Sequence, residues 1–265
     1  MTERQPFTQV DAFTDQPFAG NPAAVFVLPT ARDAVWMARV ANELNLADTA
    51  FLVRRADGYD LRWFTPTAEV DLCGHATLAS AHLLWEDRHL AAGTVARFHT
   101  RSGPLAAERR DGLVWLDFPA SVLAPAPTPP GLERILGTTP RSVWQTAFDL
   151  LVELDGEAAV RGVAPDLSAI AKLPARGLIV TAASSSDQSD FVSRFFAPAI
   201  GIPEDPVTGS AHCALAPFWA QRFGRAELRG WQASARGGLV RVRHAADRVH
   251  LGGAAVTVAR GELLW

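Results

Sequence analysis

Two stretches of this chain read as helices with no polar side: "CGHATLASAHLLW" from Cys73 to Trp85 and "TGSAHCALAPFW" from Thr208 to Trp219. A helix that is apolar all round has no face to give to water, so other structure must wrap it. The two are also alike in how they begin. Each is entered through a glycine, then a polar residue, then an alanine-rich run. That echo predicts two similar domains, each built around one enclosed helix.

The remaining pattern supplies the wrapping. "FTQVDAF" and "AAVFVL" are rich in β-branched and aromatic residues and flank the turn "QPFAGNP". "ARDAVWMARVANEL" has apolar residues at helical spacing. "TAFLVRR" and "YDLRWFT" read as a hairpin closed by Ala56-Asp57-Gly58, and "TVARFHTRSG", "PLAAERR" and "LVWLDFP" as further strands. In the second half, "SVWQTAFDLLVEL" is expected to be one strand, "APDLSAIAKL" a helix, and "GLIVTAAS", "GLVRVRH", "RVHLGG" and "AVTVARGELLW" strands. Pro119, Pro125, Pro127, Pro129 and Pro130 leave little room for regular structure between the halves. The expected division is 1–120, completed by a C-terminal strand at about 256–265, and 130–255. Pro217 lies inside the second helix and is expected to kink it near Cys213.

Composition excludes several classes. Net charge is −3, from 25 basic and 28 acidic residues, with no basic stripe, which argues against nucleic-acid binding. Lys172 is the only lysine and sits in the bland helical context "AIAKLPA", so pyridoxal-phosphate chemistry is not expected. No apolar run approaches the roughly 20 residues of a membrane span, and the N-terminus does not read as a signal peptide. The expected location is the cytoplasm, with Cys73 and Cys213 as reduced thiols. His75, His82 and His89 are spaced by sevens, but ligands strung that far along one helix do not converge on one ion, and no HExxH, Walker A, GxGxxG or GxSxG motif is present. No metal site is expected.

The chemistry-bearing candidates cluster at the two helix starts. A helix N-terminus presents unpaired N–H groups and partial positive charge, and glycine allows close approach, so Gly74 and Gly209 suit an anionic substrate group, as does Ser210. Each also has a plain reading, as turn residue or cap. His75 at a helix start is disfavoured in its protonated form, which suits a neutral acid/base partner, although a lone histidine is commonly structural. Asp205 before the second helix serves equally as dipole compensation, and Asp48 in "NLADTAF" as a turn residue. Two thiols flanking a carbon acid could run a two-base epimerisation, but free cysteines are usually inert core residues, and Cys213 lies a turn inside its helix.

The motifs "VDAFTDQPFAGNPAAVF", "NELNLADTAF", "RWFTPTAEVDLCGHATLASAHLL", "VWLDFP", "IPEDPVTGSAHCALAPFW", "RGGLVRVR" and "VHLGGAAVTV" resemble, in order and over nearly the whole chain, the PhzF-like family of the phenazine-biosynthesis isomerase. The resemblance implies an α+β fold of the diaminopimelate epimerase type, two pseudo-symmetric domains with the active site between them, and a homodimer. It implies no cofactor and no metal. The best-understood member isomerises trans-2,3-dihydro-3-hydroxyanthranilate, a glutamate carrying the proton. Asp48 stands at the glutamate's position, the main departure, with the same acid on a stem one methylene shorter. His75 and Asp205 match the other catalytic positions, Ser210 the family serine, and Gly74 and Gly209 backbone donors to a small carboxylate substrate. The epimerase cousins carry a cysteine where Cys73 stands, and their second falls nearer Thr208 than Cys213. The leading expectation is therefore a cofactor-independent, proton-shifting isomerase in which a water-poor cleft raises the pKa of Asp48. The alternatives are a catalytically impaired binding protein of the same fold and a Cys73-dependent epimerase.

Overall fold

In the computed structural model, which describes residues 3–265, the chain separates into two compact units. One runs to Asp117 and is completed by Gly252–Trp265, and the other is Phe118–Leu251.

The first unit contains, in order, β1 (Arg4–Ala12), β2 (Asn21–Leu28), α1 (Ala34–Leu44), β3 (Asp48–Arg54), β4 (Tyr59–Phe64), β5 (Glu69–Val70), α2 (Gly74–Glu86), β6 (Ala96–Thr100), β7 (Gly103–Arg110) and β8 (Leu113–Pro119). The second contains β9 (Ala124–Pro125), α3 (Leu132–Leu136), β10 (Ser142–Gln145), β11 (Asp149–Glu153), α4 (Glu157–Gly162), α5 (Leu167–Ile170), β12 (Gly177–Ala183), β13 (Phe191–Phe196), α6 (Gly209–Phe223), β14 (Glu227–Gln232), β15 (Gly238–Ala245) and β16 (Arg248–Gly253). The last strand, β17 (Ala255–Leu264), returns to pair antiparallel with β1, with a bulge at Gln9/Val10.

In the first unit β1 and β2 pair antiparallel, β2 and β3 parallel, β3 and β4 antiparallel, β4 and β6 parallel, β6 and β7 antiparallel. The second repeats this sequence of pairings from β10 to β15: antiparallel, parallel, antiparallel, parallel, antiparallel. The enclosed helix occupies the same place in both series, before the strand that makes the second parallel pair. The echo read in the sequence is thus a duplicated topology.

In each unit the central strands are covered on both faces. In the first unit α1 starts at Asp33, whose carboxylate accepts the Trp36 N–H at 2.8 Å, and ends at Asn45 in the left-handed region. Its Met37, Val40 and Ala41 pack on Ala24, Phe26 and Leu28 of β2 with Phe51 and Phe64. The other face holds α2, buried nearly throughout. Thr77 and Ser80 are tolerated there because their hydroxyls bond back to the Cys73 and Ala76 carbonyls, at 2.5 and 2.7 Å. In the second unit α3, α4 and α5 cover one side through Leu136, Val160 and Ile170. On α6, Trp219 stacks on Phe191 at 6.0 Å and donates its indole N–H to Thr181 Oγ1 at 3.0 Å.

Two local expectations are corrected. Residues 142–154 form a hairpin of β10 and β11 rather than one strand. The break is made by Thr146, whose hydroxyl accepts the N–H groups of Phe148 and Asp149 at 3.1 and 2.9 Å, a side-chain turn that a run of apolar residues conceals. The helix expected over 164–173 is a single turn, α5. β13 and β14 went unread because Arg194 in one and Gly230 in the other break the apolar pattern. Through Pro217, α6 runs on unbroken: the Cys213 carbonyl, which proline cannot serve, accepts the Ser121 N–H at 3.0 Å.

Gly20 has φ +63°, and a Cβ there would lie 2.2 Å from the Ala12 carbonyl oxygen. Gly20→Ala is expected to cost about 2 kcal/mol or more, read as a lower urea midpoint at unchanged m-value. His212 on α6 is fully buried, with Nδ1 2.8 Å from the Thr208 carbonyl and the ring against Phe191. Burial holds its pKa down to about 4, against the raising effect of the Thr208 bond. The unfolded chain takes up a proton near pH 6.5 that the native ring refuses, so this contribution to stability is full above that pH. It is lost as pH falls toward about 4, at about 1.4 kcal/mol per pH unit. His212→Asn keeps a donor toward Thr208 and cannot titrate. Its unfolding free energy should fall less steeply over that window, by about one proton, in urea titrations at several pH values.

Candidate functional site

In the first unit, β2 and β3 run parallel and start at the same end of the sheet. Asn21 opens β2, and Asp48 opens β3 in register with Ala23. The left-handed Asn45 turns the chain from α1 into β3 and so sets where Asp48 falls. The first turn of α2 comes to this end of the sheet and carries Cys73, Gly74 and His75.

These side chains converge. His75 Nε2 is 3.6 Å from Asp48 Oδ2, and Cys73 Sγ is 3.5 Å from His75 Nδ1 and 4.0 Å from Nε2. Asp48, Cys73 and His75 are all buried. Asn21 Nδ2 lies 3.1 Å from His75 Nδ1. An amide nitrogen has only protons to give, so Nδ1 accepts, and the neutral ring carries its proton on Nε2, toward Asp48. Burial brings the His75 pKa down to about 3, so the ring is neutral at physiological pH. Neutrality was read in the sequence from the helix start; its physical cause is desolvation. At 3.6 Å the two groups lie side by side rather than hydrogen-bonded to one another, an arrangement that can close on a shared reacting group.

The second unit holds a second group. Thr208 caps α6 in extended conformation, and its hydroxyl donates to Asp205 Oδ2 at 2.6 Å. Gln232 ties this segment down. Its Oε1 accepts the Thr208 N–H at 2.8 Å, and its Nε2 donates to the Asp205 carbonyl at 2.7 Å and to Thr208 Oγ1 at 3.1 Å. The Asp205 N–H in turn donates to the Phe195 carbonyl at 3.0 Å. Ser210 Oγ accepts from Arg176 Nη2 at 3.1 Å, while that guanidinium also grips Asp149 through two bonds. Neither Cys73 nor Thr208 caps its helix with its own side chain, so the first-turn amides at Gly74 and Gly209 are not taken up by the cap residue.

Of the sequence-predicted residues, the fold brings Asp48, Cys73, Gly74 and His75 together in one unit, and Asp205, Thr208, Gly209 and Ser210 in the other. Cys213 is buried on α6, and burial pushes its thiol up to about 12, which keeps it protonated. Sequence reasoning missed Asn21, read as part of a turn, and Gln232, at the end of an unread strand. The "GNP" step beside a run of strand residues was the available signal for Asn21. Nothing local marked Gln232. Among the described residues no helix is long and apolar enough to cross a membrane.

The chain matches the family described as "Phenazine biosynthesis-like protein" (PhzC-PhzF) over residues 10–261. It is 51% identical over 260 residues to a protein named an uncharacterized isomerase in Halalkalibacterium halodurans, covering 98% of each chain. The crystal structure of a PhzF-family phenazine biosynthesis protein from Enterococcus faecalis superposes with a TM-score of 0.94 at 42% identity, over 98% of this chain and 99% of that one. A hydroxyproline epimerase from Agrobacterium vitis shares the fold at a TM-score of 0.62 and 11% identity, covering 98% of this chain and 92% of that one. The α+β architecture is thus of the epimerase-like type. With its motifs, duplicated topology and these likenesses in accord, the chain belongs to the PhzC-PhzF, phenazine biosynthesis-like family.

Proposed function

We propose that this chain is an isomerase that moves a proton between two carbons of a small carboxylated metabolite, a cyclic amino acid being the first class to test, and that it needs no cofactor to do so. The observation that carries the reading is the buried Asp48–His75 pair, with Nε2 3.6 Å from Oδ2 and the ring tautomer set by Asn21. It sits in a chain whose relative at 51% identity is named an isomerase. Asp48 takes a proton from an acidic C–H, leaving the electron pair on the substrate, and returns it at another carbon. The His75 Nε2–H donates to charge developing on the substrate. In the second unit Asp205 and Ser210, with the amides at the start of α6, are assigned to the substrate's polar and carboxylate groups.

A second reading is favoured by one distance, the 3.5 Å between Cys73 Sγ and His75 Nδ1, which suits a thiol-dependent epimerase. A binding protein without chemistry is the third, supported by the shortened acid at position 48.

Incubation with candidate cyclic amino acids in heavy water separates these readings. The parent chain should wash deuterium into one of them, and Asp48→Asn should lower that rate by about 10²–10⁴-fold, the usual worth of a positioned acid/base group. A loss as large in Cys73→Ser, with Asp48→Asn near parent rate, would move the base from carboxylate to thiol. Binding by calorimetry with no exchange in the parent would favour the binding protein. Asp205→Asn should raise KM, with a smaller fall in kcat, because the residue is assigned to recognition rather than to the moving proton. Steady-state rates over a range of substrate concentrations check it.

A further inference from the structure

Among the described residues, Asp48, Cys73 and His75 are the one group of three metal-ligating side chains whose donor atoms all lie within 4.8 Å of one another. Carboxylate, thiol and imidazole are the donor types of zinc sites. Three protein ligands with a fourth position open is the pattern of sites that exchange their metal or bind a further group. We propose that this triad binds a borderline-soft divalent cation, Zn²⁺ foremost, and that the bound ion silences the enzyme by occupying its base.

The carboxylate and the imidazole are spaced close to what such an ion needs. Zinc bonds of about 2.0–2.3 Å in tetrahedral arrangement place nitrogen and oxygen ligands roughly 3.4 Å apart, and nitrogen and sulfur ligands roughly 3.6 Å apart. The observed separations from His75 Nε2 are 3.6 Å to Asp48 Oδ2 and 4.0 Å to Cys73 Sγ. The carboxylate closes by a few tenths of an ångström; the thiol, which lies 3.5 Å from Nδ1, has to turn about its Cα–Cβ bond to reach the Nε2 side of the ring. Charge favours the ion as well. One thiolate and one carboxylate neutralise a divalent cation, so the buried complex carries no net charge, which a low-dielectric setting demands. The thiolate selects against Mg²⁺ and Ca²⁺, which take oxygen ligands.

The protons balance without a redox partner. Zinc replaces the Cys73 thiol proton, which leaves to solvent. A ring that gives Nε2 to the metal must carry its proton on Nδ1. A half-turn of the Asn21 amide then offers its carbonyl to that proton, so the residue that fixes one tautomer serves the other. The same three side chains cannot hold zinc and shift a proton.

Binding and inhibition are tested separately, because only the inhibition rests on the proposed function. Equilibrium dialysis of the full chain against buffered ZnCl₂, with metal counted by atomic emission, should give one ion per chain. Co²⁺ in its place should show a thiolate-to-cobalt charge-transfer band and the strong visible bands of a tetrahedral centre. Cys73→Ser and Asp48→Asn, each checked for cooperative melting by circular dichroism, should weaken binding by more than about 100-fold, beyond what losing an outer partner costs. Cys73→Ser should also lose the charge-transfer band. His82→Ala removes the neighbouring His82–Glu86 pair on α2 and should change nothing. Unaltered zinc binding in both triad variants, or cobalt bound without the thiolate band, overturns the site. Zinc should abolish deuterium wash-in by the parent, and EDTA should restore it. Stoichiometric zinc with wash-in intact overturns the block. A parent that binds zinc but never exchanges deuterium counts against the proposed function while leaving the site standing.

Discussion

A helix without a polar face has to be enclosed, and enclosure removes water from whatever stands at its tip. That constraint organises the chain. It forces strands around α2 and strands around α6, which explains why one order of strand pairings appears twice. It also sets the chemistry, since His75 is neutral because it is carried on a buried helix rather than because a cation lies beside it.

Enclosure has a second cost, met residue by residue. Polar groups drawn inside must find partners. Thr77 and Ser80 bond to their own helix, Trp219 bonds to Thr181, and the carbonyl that Pro217 leaves unserved finds the Ser121 N–H. Around the candidate site the same demand becomes positioning. Asn21 fixes the His75 tautomer, and Gln232 fixes the segment that carries Asp205. These partners hold the candidate site's side chains and segment in place.

Much of this was legible in the sequence because hydrophobic pattern reports enclosure directly. Both central helices, α1, and the hairpin closed by Ala56–Gly58 follow from period and turn residues. Thr146, whose hydroxyl makes the turn between β10 and β11, was hidden, since threonine in an apolar run looks like strand. β13 and β14 were hidden too, their apolar alternation broken by Arg194 and Gly230. At the site, residues near glycine-entered helices stood out, whereas Asn21 and Gln232 did not. Their roles depend on which strand ends share an edge of the sheet, and that is a property of topology rather than of local spacing.

The Thr208 hydroxyl gives its proton to Asp205 and receives one from Gln232. A sulfur in that place would be larger, a weaker donor and a weaker acceptor. The resemblance puts the epimerases' second cysteine near this position, so conversion toward a two-thiol enzyme runs against a local lock. Evolution or engineering along that route would have to rebuild the Asp205 segment before a new nucleophile could be of use.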